Sequence, residues 1–164
     1  MPLASQTEYI WYLYYLKLLV LASRVRGLPR GLYHYAADRH SLERLSRLAT
    51  GRQIVQYCAD QTWYGAAAAI VIMTAVFSRE RWRYQSPRAY RAVLLDAGHL
   101  CQTFCLLATW LKLAPFCTMA LADSRIERDL KIDGVRESVV YVAGVGSRPA
   151  GGWSPRLQRA ALRQ

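Results

Sequence analysis

The sequence feature that most constrains the fold is one long apolar segment, residues 86–113 (SPRAYRAVLLDAGHLCQTFCLLATWLKL). Ser86 can cap a helix, and Pro87 suits a first helical turn, where its missing N–H costs nothing. The segment therefore predicts a helix of about 26 residues, roughly 40 Å long. A helix that is apolar on nearly every face is buried, either within a domain or between subunits. Its polar side chains then need partners, of which a cofactor is one candidate; they are Asp96, His99, Gln102 and Thr103.

The charge of the chain restricts the classes of partner. The 164 residues carry a formal net charge of +11, almost all from arginine, because the lysines are only Lys17, Lys112 and Lys131. Such a balance suits an anionic partner, namely a nucleic acid, a membrane surface or a phosphorylated cofactor. The arginines are scattered along the chain, which favours the plainer interpretation of a solvated, arginine-rich surface.

The cysteines and the apolar runs indicate a cytoplasmic protein. Four cysteines occur without a CxxC pair, and the first residues lack the features of a secretory signal. Residues 9–22 and 63–77 are apolar but shorter than the ~20 residues needed to cross a bilayer. We therefore expect reduced thiols, buried apolar elements and no membrane partner.

The order of predicted elements indicates the α+β class, with helices packed on one mainly antiparallel sheet. Residues 17–24 and 31–36 predict an antiparallel hairpin, and the β-branched run at 69–77 predicts a central strand. The remaining predictions are short helices at 41–49 and 52–59, a polar loop at 78–85, an extended segment at 115–121, a short helix from Asp123 or Ser124 and a strand at 137–143. We assign residues 1–150 to one domain and residues 151–164 to a basic tail.

Three kinds of site are suggested weakly by the residues alone. Cys101 and Cys105 share a helix face near His99, but four zinc ligands at a standard spacing are lacking, so apolar packing of the thiols is favoured over a metal. No GxGxxG motif or P-loop occurs, although the glycines after residue 143 and Arg148 suit an anion. Basic and aromatic residues alternate over 79–91 without any known nucleic-acid motif, so the pattern does not favour nucleic acid as a partner.

Three segments together resemble one family. They are GLPRGLYHYAADRHSLERL around residue 31, TAVFSRERWRYQSPRAYRAVLLDAGHLCQ at 74–102 and ADSRIERDLKIDGVRESVVYVAGVGSRP at 122–149. They resemble the SagB-type, nitroreductase-like flavoproteins over roughly residues 24–149. The resemblance implies a dimeric, FMN-dependent dehydrogenase with flavin in a groove at the subunit interface. Members of this type oxidise azoline rings of modified peptides to azoles.

The resemblance also implies site residues. The family's Lys–Tyr pair falls on Arg83 and Tyr84; Tyr84 is expected to move a proton, whereas Arg83 is too basic to act as a base. The family's glycine pair beside the flavin ring falls near residues 117–120. The cofactor-binding residues that the resemblance implies are Gln102, Cys117, Thr118, Met119 and Arg148, the last of them at the FMN phosphate.

The beginning of the chain departs from the family pattern. The family's Arg–Ser–x–Arg segment, which holds the flavin phosphate, has no counterpart before Tyr9, and the Pro–Ser–x–Gly–Ala motif is almost lost at residues 8–15. The chain is then a fragment, one half of a split enzyme or a degenerate copy. Three functions follow as alternatives: an FMN-dependent oxidoreductase acting as a homodimer or heterodimer, a non-catalytic subunit that pairs with a complete flavoprotein, and a basic nucleic-acid-binding module.

Overall fold

A six-stranded antiparallel sheet, in the order β3-β2-β1-β4-β6-β5, forms the centre of the protein. The computed structural model describes residues 15–47 and 50–148. The strands are β1 (Leu16–Ala22), β2 (Gly31–Ala36), β3 (Ser41–Ser46), β4 (Ala69–Val76), β5 (Leu113–Thr118) and β6 (Glu137–Ser147). The helices are α1 (Gly51–Tyr57), a 3₁₀ helix (Thr62–Ala66), α2 (Phe77–Arg83), α3 (Tyr90–Trp110) and α4 (Asp123–Leu130). This architecture confirms the α+β prediction.

The central strand is β4, as its sequence predicts. It pairs with β1 on one side and β6 on the other, and most of its residues are buried. Alternate residues of a strand point to opposite faces. Ile70 and Ile72 therefore enter one hydrophobic core, and Met73 enters another. The hairpin of β1 and β2 is also confirmed.

Helices cover both faces of the sheet. On one face α1 and α4 contribute Ile54, Tyr57 and Ile126, all fully buried beside Ile70 and Ile72. On the other face α3 lies across the sheet through Val93, Ala97, Cys101 and Ala108. The second of these helix layers bears most on function, because α3 carries the predicted flavin residue Gln102.

Two local predictions are wrong. Residues 41–49 were expected to be helical, but β3 pairs with β2, with Leu42 opposite Tyr35. A turn with His40 at φ 46° brings the chain back along β2, and the ladder hydrogen bonds outweigh the helical preference. The expected polar loop at 78–85 is largely helix α2, whose Glu80 is only 2% exposed. Its first residue is held by a hydrogen bond of 2.9 Å from Phe77 N to the Arg136 carbonyl.

The long helix is shorter and more exposed than the sequence predicts. It begins at Tyr90, because Ser86 caps a turn that precedes the helix. In this turn the Ser86 Oγ accepts a hydrogen bond from Arg88 N at 3.3 Å. By length and composition alone α3 is apolar enough to cross a membrane. Within this chain α3 buries only one face. The prediction that it is buried on every side is therefore wrong for one chain, and burial between subunits is the alternative that remains. The exposed large apolar residues of α3 that lie farthest from its buried stripe are Leu95, Leu106 and Trp110, which we call the outer face of α3.

Some predicted segments lie outside the described residues. These are residues 9–14 of the apolar segment at 9–22, residues 48–49 of the predicted helix at 41–49 and the basic tail at 151–164.

Candidate functional site

A cavity of about 590 Å³ lies between α2 and the beginning of α3. This volume falls within the range of about 300–1,000 Å³ that small-molecule sites occupy. Tyr84, which the sequence nominates for proton transfer, lines it. Arg83 ends α2, and its side chain lies outside the described part of the structure. The other lining residues are Phe77, Glu80, Arg81, Gln85, Ser86, Pro87, Ala89 and Tyr90.

Acidic and phenolic groups cluster beside this cavity. Glu80 is buried and lines the cavity, and the Tyr15 hydroxyl donates a hydrogen bond to the Asp96 carboxylate of α3. Burial raises the pKa of Tyr15, and the hydrogen bond to Asp96 and the negative charges of Asp96 and Glu80 raise it further. The Tyr15 phenol therefore stays protonated at neutral pH, and its proton is held by the Asp96 carboxylate.

Sequence reasoning missed Glu80 because residues 78–85 were interpreted as a loop. A periodic signal was present: Phe77, Glu80, Arg81 and Tyr84 follow the i, i+3, i+4, i+7 spacing of one helix face. All four line the cavity. The mixture of charged and aromatic residues concealed this face, because the helical pattern is usually sought in apolar residues alone.

The predicted flavin residues other than Gln102 lie at the two ends of β5. Leu113 pairs with Ser147 and Thr118 with Val142, so Arg148 lies beside the start of β5. Its Nε donates to the Leu113 carbonyl at 3.0 Å. Met119 follows the other end of the strand, about 20 Å from Leu113 at ~3.4 Å per residue.

The side chains at the far end of β5 differ in exposure. Thr118 is buried, and its Oγ1 accepts a hydrogen bond from Ala120 N at 3.0 Å, whereas Met119 is 79% exposed. Gln102 stands on the exposed side of α3, near Leu106 of the outer face. The structure thus brings neither Gln102 nor Arg148 next to Tyr84: α2 begins beside the start of β6, and Arg148 follows its end.

Three thiols meet where α3 packs against β5. The Sγ atoms of Cys101, Cys105 and Cys117 all lie within 4.8 Å of one another, and we call these residues the thiol cluster. Burial raises the pKa of Cys101 to about 12, with additional contributions from the other two thiols, and burial also raises the pKa of Cys105. The Tyr141 hydroxyl is hydrogen-bonded to Cys117, and this bond is the main reason why the pKa of Tyr141 is raised. The helical spacing showed Cys101 and Cys105 together, but the third member depends on the path of β5.

Comparison of the sequence with known proteins identifies related chains. The Nitroreductase family profile matches residues 13–147. The chain is 30% identical over 119 residues to MJ1384 of Methanocaldococcus jannaschii, whose name assigns it provisionally to the nitroreductases. It is 28% identical over 128 residues to the trifolitoxin-processing protein TfxB of Rhizobium leguminosarum bv. trifolii. These matches cover 73% and 74% of this chain, but only 60% and 34% of the relatives, so the chain spans part of their length.

Solved structures share the fold. A protein of Anabaena variabilis, provisionally named a nitroreductase, superposes with a TM-score of 0.73 at 29% identity, over 81% of this chain and 27% of that one. A chain of the E. coli microcin synthetase McbBCD complex with truncated pro-MccB17 bound gives 0.71 at 18% identity, over 84% and 53%. The NADPH:FMN oxidoreductase of Vibrio harveyi gives 0.54 at 13% identity, over 96% and 66%. With the profile match across most of its length, this chain belongs to the nitroreductase family.

Proposed function

We propose that this chain is an FMN-dependent oxidoreductase of the SagB type, and that its substrate is an azoline ring in a modified peptide. The observation that carries the proposal is the family match over residues 13–147. It is joined by similarity to a trifolitoxin-processing protein and to a chain of a microcin synthetase. Among the fold relatives, the Vibrio harveyi enzyme is named for FMN.

The donor set along β5 fits an elongated anionic cofactor. The Arg148 guanidinium is exposed at one end of the strand and would hold the phosphate by charge-assisted hydrogen bonds. The backbone of Cys117, Thr118 and Met119 at the other end would lie beside the ring, as the family's glycine pair does, and Gln102 would reach the ring or the ribityl chain. When bound, FMN supplies an acceptor for a hydride.

Oxidation of an azoline to an azole removes two hydrogens from the ring, one as a hydride and one as a proton. We assign this proton to the Tyr84 side chain, whose oxygen must be in the phenolate form to accept it, because Tyr84 lines the cavity together with the buried Glu80. Arg83 would remain cationic throughout and would bind or orient the peptide. The cavity has room for a five-membered ring and its flanking residues. Residues 117–119 of the same chain do not line it, so we propose that the flavin ring that meets this cavity is the one held by the second subunit, in the groove at the subunit interface.

The outer face of α3 is the expected contact with a second subunit. Leu95 and Leu106 are each 62% exposed and Trp110 is 75% exposed, and at 100° per residue all three lie within about 60° on the helix. On this side of α3 the exposed apolar side chains alternate with the exposed polar residues His99 and Gln102, a mixture that protein–protein interfaces also show. We propose either a homodimer or a heterodimer with a related flavoprotein subunit, with a peptide as substrate.

A cytoplasmic location is part of the same proposal. Cys58, Cys101, Cys105 and Cys117 are all free thiols. Free thiols are usual in compartments that glutathione and thioredoxin keep reducing. Fractionation of cells with an antibody to the chain would test this location.

A flavin titration tests the proposed activity. FMN is added to the purified chain, and quenching of flavin fluorescence is followed to saturation. We expect one FMN per chain, followed by bleaching of the bound flavin when a thiazoline-containing peptide is added without oxygen. A chain that quenches no FMN, alone or mixed with a related flavoprotein, would remove the proposed activity.

A second candidate function is a non-catalytic subunit that supports a complete flavoprotein. It is favoured by the arginine at position 83 in place of the family's lysine, and by the lack of glycine over residues 117–120. In this case the chain alone would take up no FMN, yet would raise the turnover of the partner when mixed with it. Titration of the partner with this chain separates the two functions.

A further inference from the structure

The thiol cluster is a separate feature from the cavity of Tyr84. Cys101 lies about 16 Å along the α3 axis from Tyr90, the nearest cavity residue on that helix, at ~1.5 Å rise per residue. Cys101 and Cys105 are one helical turn apart on the same face, and β5 adds Cys117 from the adjacent layer. Three thiols from two elements thus point toward one centre.

The spacing of the three sulfur atoms matches a coordination sphere. With metal–sulfur bonds of about 2.3 Å, thiolates around one ion lie about 3.8 Å apart in a tetrahedral site and about 4.0 Å apart in a trigonal one. All three sulfurs of the cluster lie within 4.8 Å of one another, so shortening the sulfur–sulfur distances by at most about 1 Å would close the site. A disulfide would satisfy only two of the three thiols.

We propose that Cys101, Cys105 and Cys117 bind one thiophilic d¹⁰ metal ion, Zn(II) or Cu(I), through three thiolates. Sulfur ligands select these soft or borderline ions over Mg(II), Ca(II) and Mn(II), which prefer oxygen. Each thiol loses one proton to solvent on binding, and no electron is transferred. The charge of the bound ion offsets the cost of ionising buried thiols.

The surroundings of the cluster supply the other features of a metal site. Cys101 is 2% exposed and packs with Met73, Ala97 and Ala143, which offer no oxygen side chain to a competing hard ion. Cys117 is exposed, which gives the ion an entry path from solvent. The hydroxyl of Tyr141 is hydrogen-bonded to Cys117 and would orient that sulfur atom.

Metal titration of the reduced full chain tests the proposal. Co(II) is added first as a spectroscopic probe, because thiolate coordination gives intense sulfur-to-metal charge-transfer absorption. Zn(II) and Cu(I) are then titrated separately against chromophoric chelators, which distinguishes the two ions. We expect one ion per chain, with an affinity at least about 100-fold lower in Cys105→Ala and in Cys117→Ala. Tyr141→Phe should weaken binding by about 10- to 100-fold, as changes to groups that hydrogen-bond a metal ligand do.

Cys58→Ala is the matched control. Cys58 is also a free, buried cysteine, but it packs against α1 and the opposite face of the sheet. We expect its metal stoichiometry and affinity to equal those of the unchanged chain, and circular dichroism verifies that every variant is folded. The proposal is overturned if the folded chain binds no stoichiometric ion, if Cys117→Ala binds as tightly as Cys58→Ala, or if the thiols form a disulfide that excludes the metal. Metal binding is measured without flavin. A chain that binds no metal therefore leaves the proposed FMN binding untouched, and a chain that binds no FMN leaves the proposed metal site untouched.

Discussion

Tyr84 is the residue on which the proposed proton transfer depends. Its ring lines the cavity, whereas the neighbouring Arg83 is too basic to accept a proton at neutral pH. We expect Tyr84→Phe to lower the rate of flavin bleaching by a thiazoline-containing peptide about 100- to 10,000-fold, the usual range for loss of a general acid or base. Stopped-flow absorbance of the bound flavin measures this rate.

Tyr90 provides the control for that experiment. It is a second tyrosine on the same cavity and is 50% exposed. Tyr90→Phe removes an equivalent hydroxyl, and we expect the rate to change less than about threefold, with FMN affinity unchanged in both variants. Equal rates in Tyr84→Phe and the unchanged chain would assign the proton to another group.

Gly144 must lack a side chain, because it lies opposite Phe116 of the neighbouring strand β5 and packs closely against that ring. A Cβ at this position would lie 2.2 Å from Phe116 Cζ and 3.0 Å from Ile70 Cγ2. The Phe116 ring is itself packed against Tyr64, with ring centroids 4.6 Å apart, so it has little room to move. We expect Gly144→Ala to lower the free energy of unfolding by about 1–3 kcal/mol, as overpacking of a core does. Urea unfolding measures the change.

Two variants test the cause of that loss. Gly98 lies on α3 with nothing within 4 Å of a built Cβ, so Gly98→Ala should raise the free energy of unfolding by about 0.5–1 kcal/mol. Phe116→Leu in the Gly144→Ala background should recover part of the loss, because the smaller side chain vacates the contact. If Gly144→Ala is as stable as the unchanged chain, the close packing of β5 on β6 is not as the structure has it.

At the scale of elements, α3 has one face against the sheet and one apolar face outward. Leu106→Glu places a charge in the centre of the outer face without touching the buried contacts at Ala97 and Cys101. Burying an unpaired carboxylate in an apolar interface is costly. We therefore expect the association constant to fall at least about 100-fold, as measured by sedimentation velocity over a range of protein concentrations.

Val135→Glu is the control for the interface. Val135 is 78% exposed and lies in the turn before β6, away from α3. It adds the same charge, so we expect the oligomer to persist. A chain that is monomeric before any substitution, at every concentration and with a related flavoprotein present, would contradict the role given to α3.

The elements differ in how far the sequence predicts them. β1, β2 and β4 were predictable, because apolar and β-branched residues fill buried strands. The helical propensity of β3 is overridden by pairing with β2, and the polar composition of α2 concealed its helical face. The residues of the candidate site also differ in how far the sequence predicts them. Tyr84 on the cavity was nominated from a local motif, but the third thiol and the buried Glu80 depend on contacts between elements.

At the scale of the whole molecule, the net charge of +11 attracts any anion, so FMN affinity alone does not identify a phosphate site. Long-range attraction of FMN by the basic surface depends on the total charge and is screened by salt. A specific phosphate site depends instead on one guanidinium at hydrogen-bonding distance. Arg148 lies at the end of β5 where the phosphate is proposed, and Arg39 lies beyond β2 at the opposite edge of the sheet. Removing either arginine changes the total charge equally.

Arg148→Ala and Arg39→Ala therefore form a matched pair. A charge-assisted hydrogen bond contributes about 1.5–3 kcal/mol, so we expect Arg148→Ala to weaken FMN binding about 10- to 100-fold. Arg39→Ala, whose side chain pairs with Glu43 on the surface, should weaken it less than about twofold. Fluorescence-quenching titrations at low and at physiological salt measure both, and the difference between the variants should persist at the higher salt. Equal, salt-sensitive losses would mean that the basic surface as a whole, rather than the end of β5, attracts the flavin phosphate.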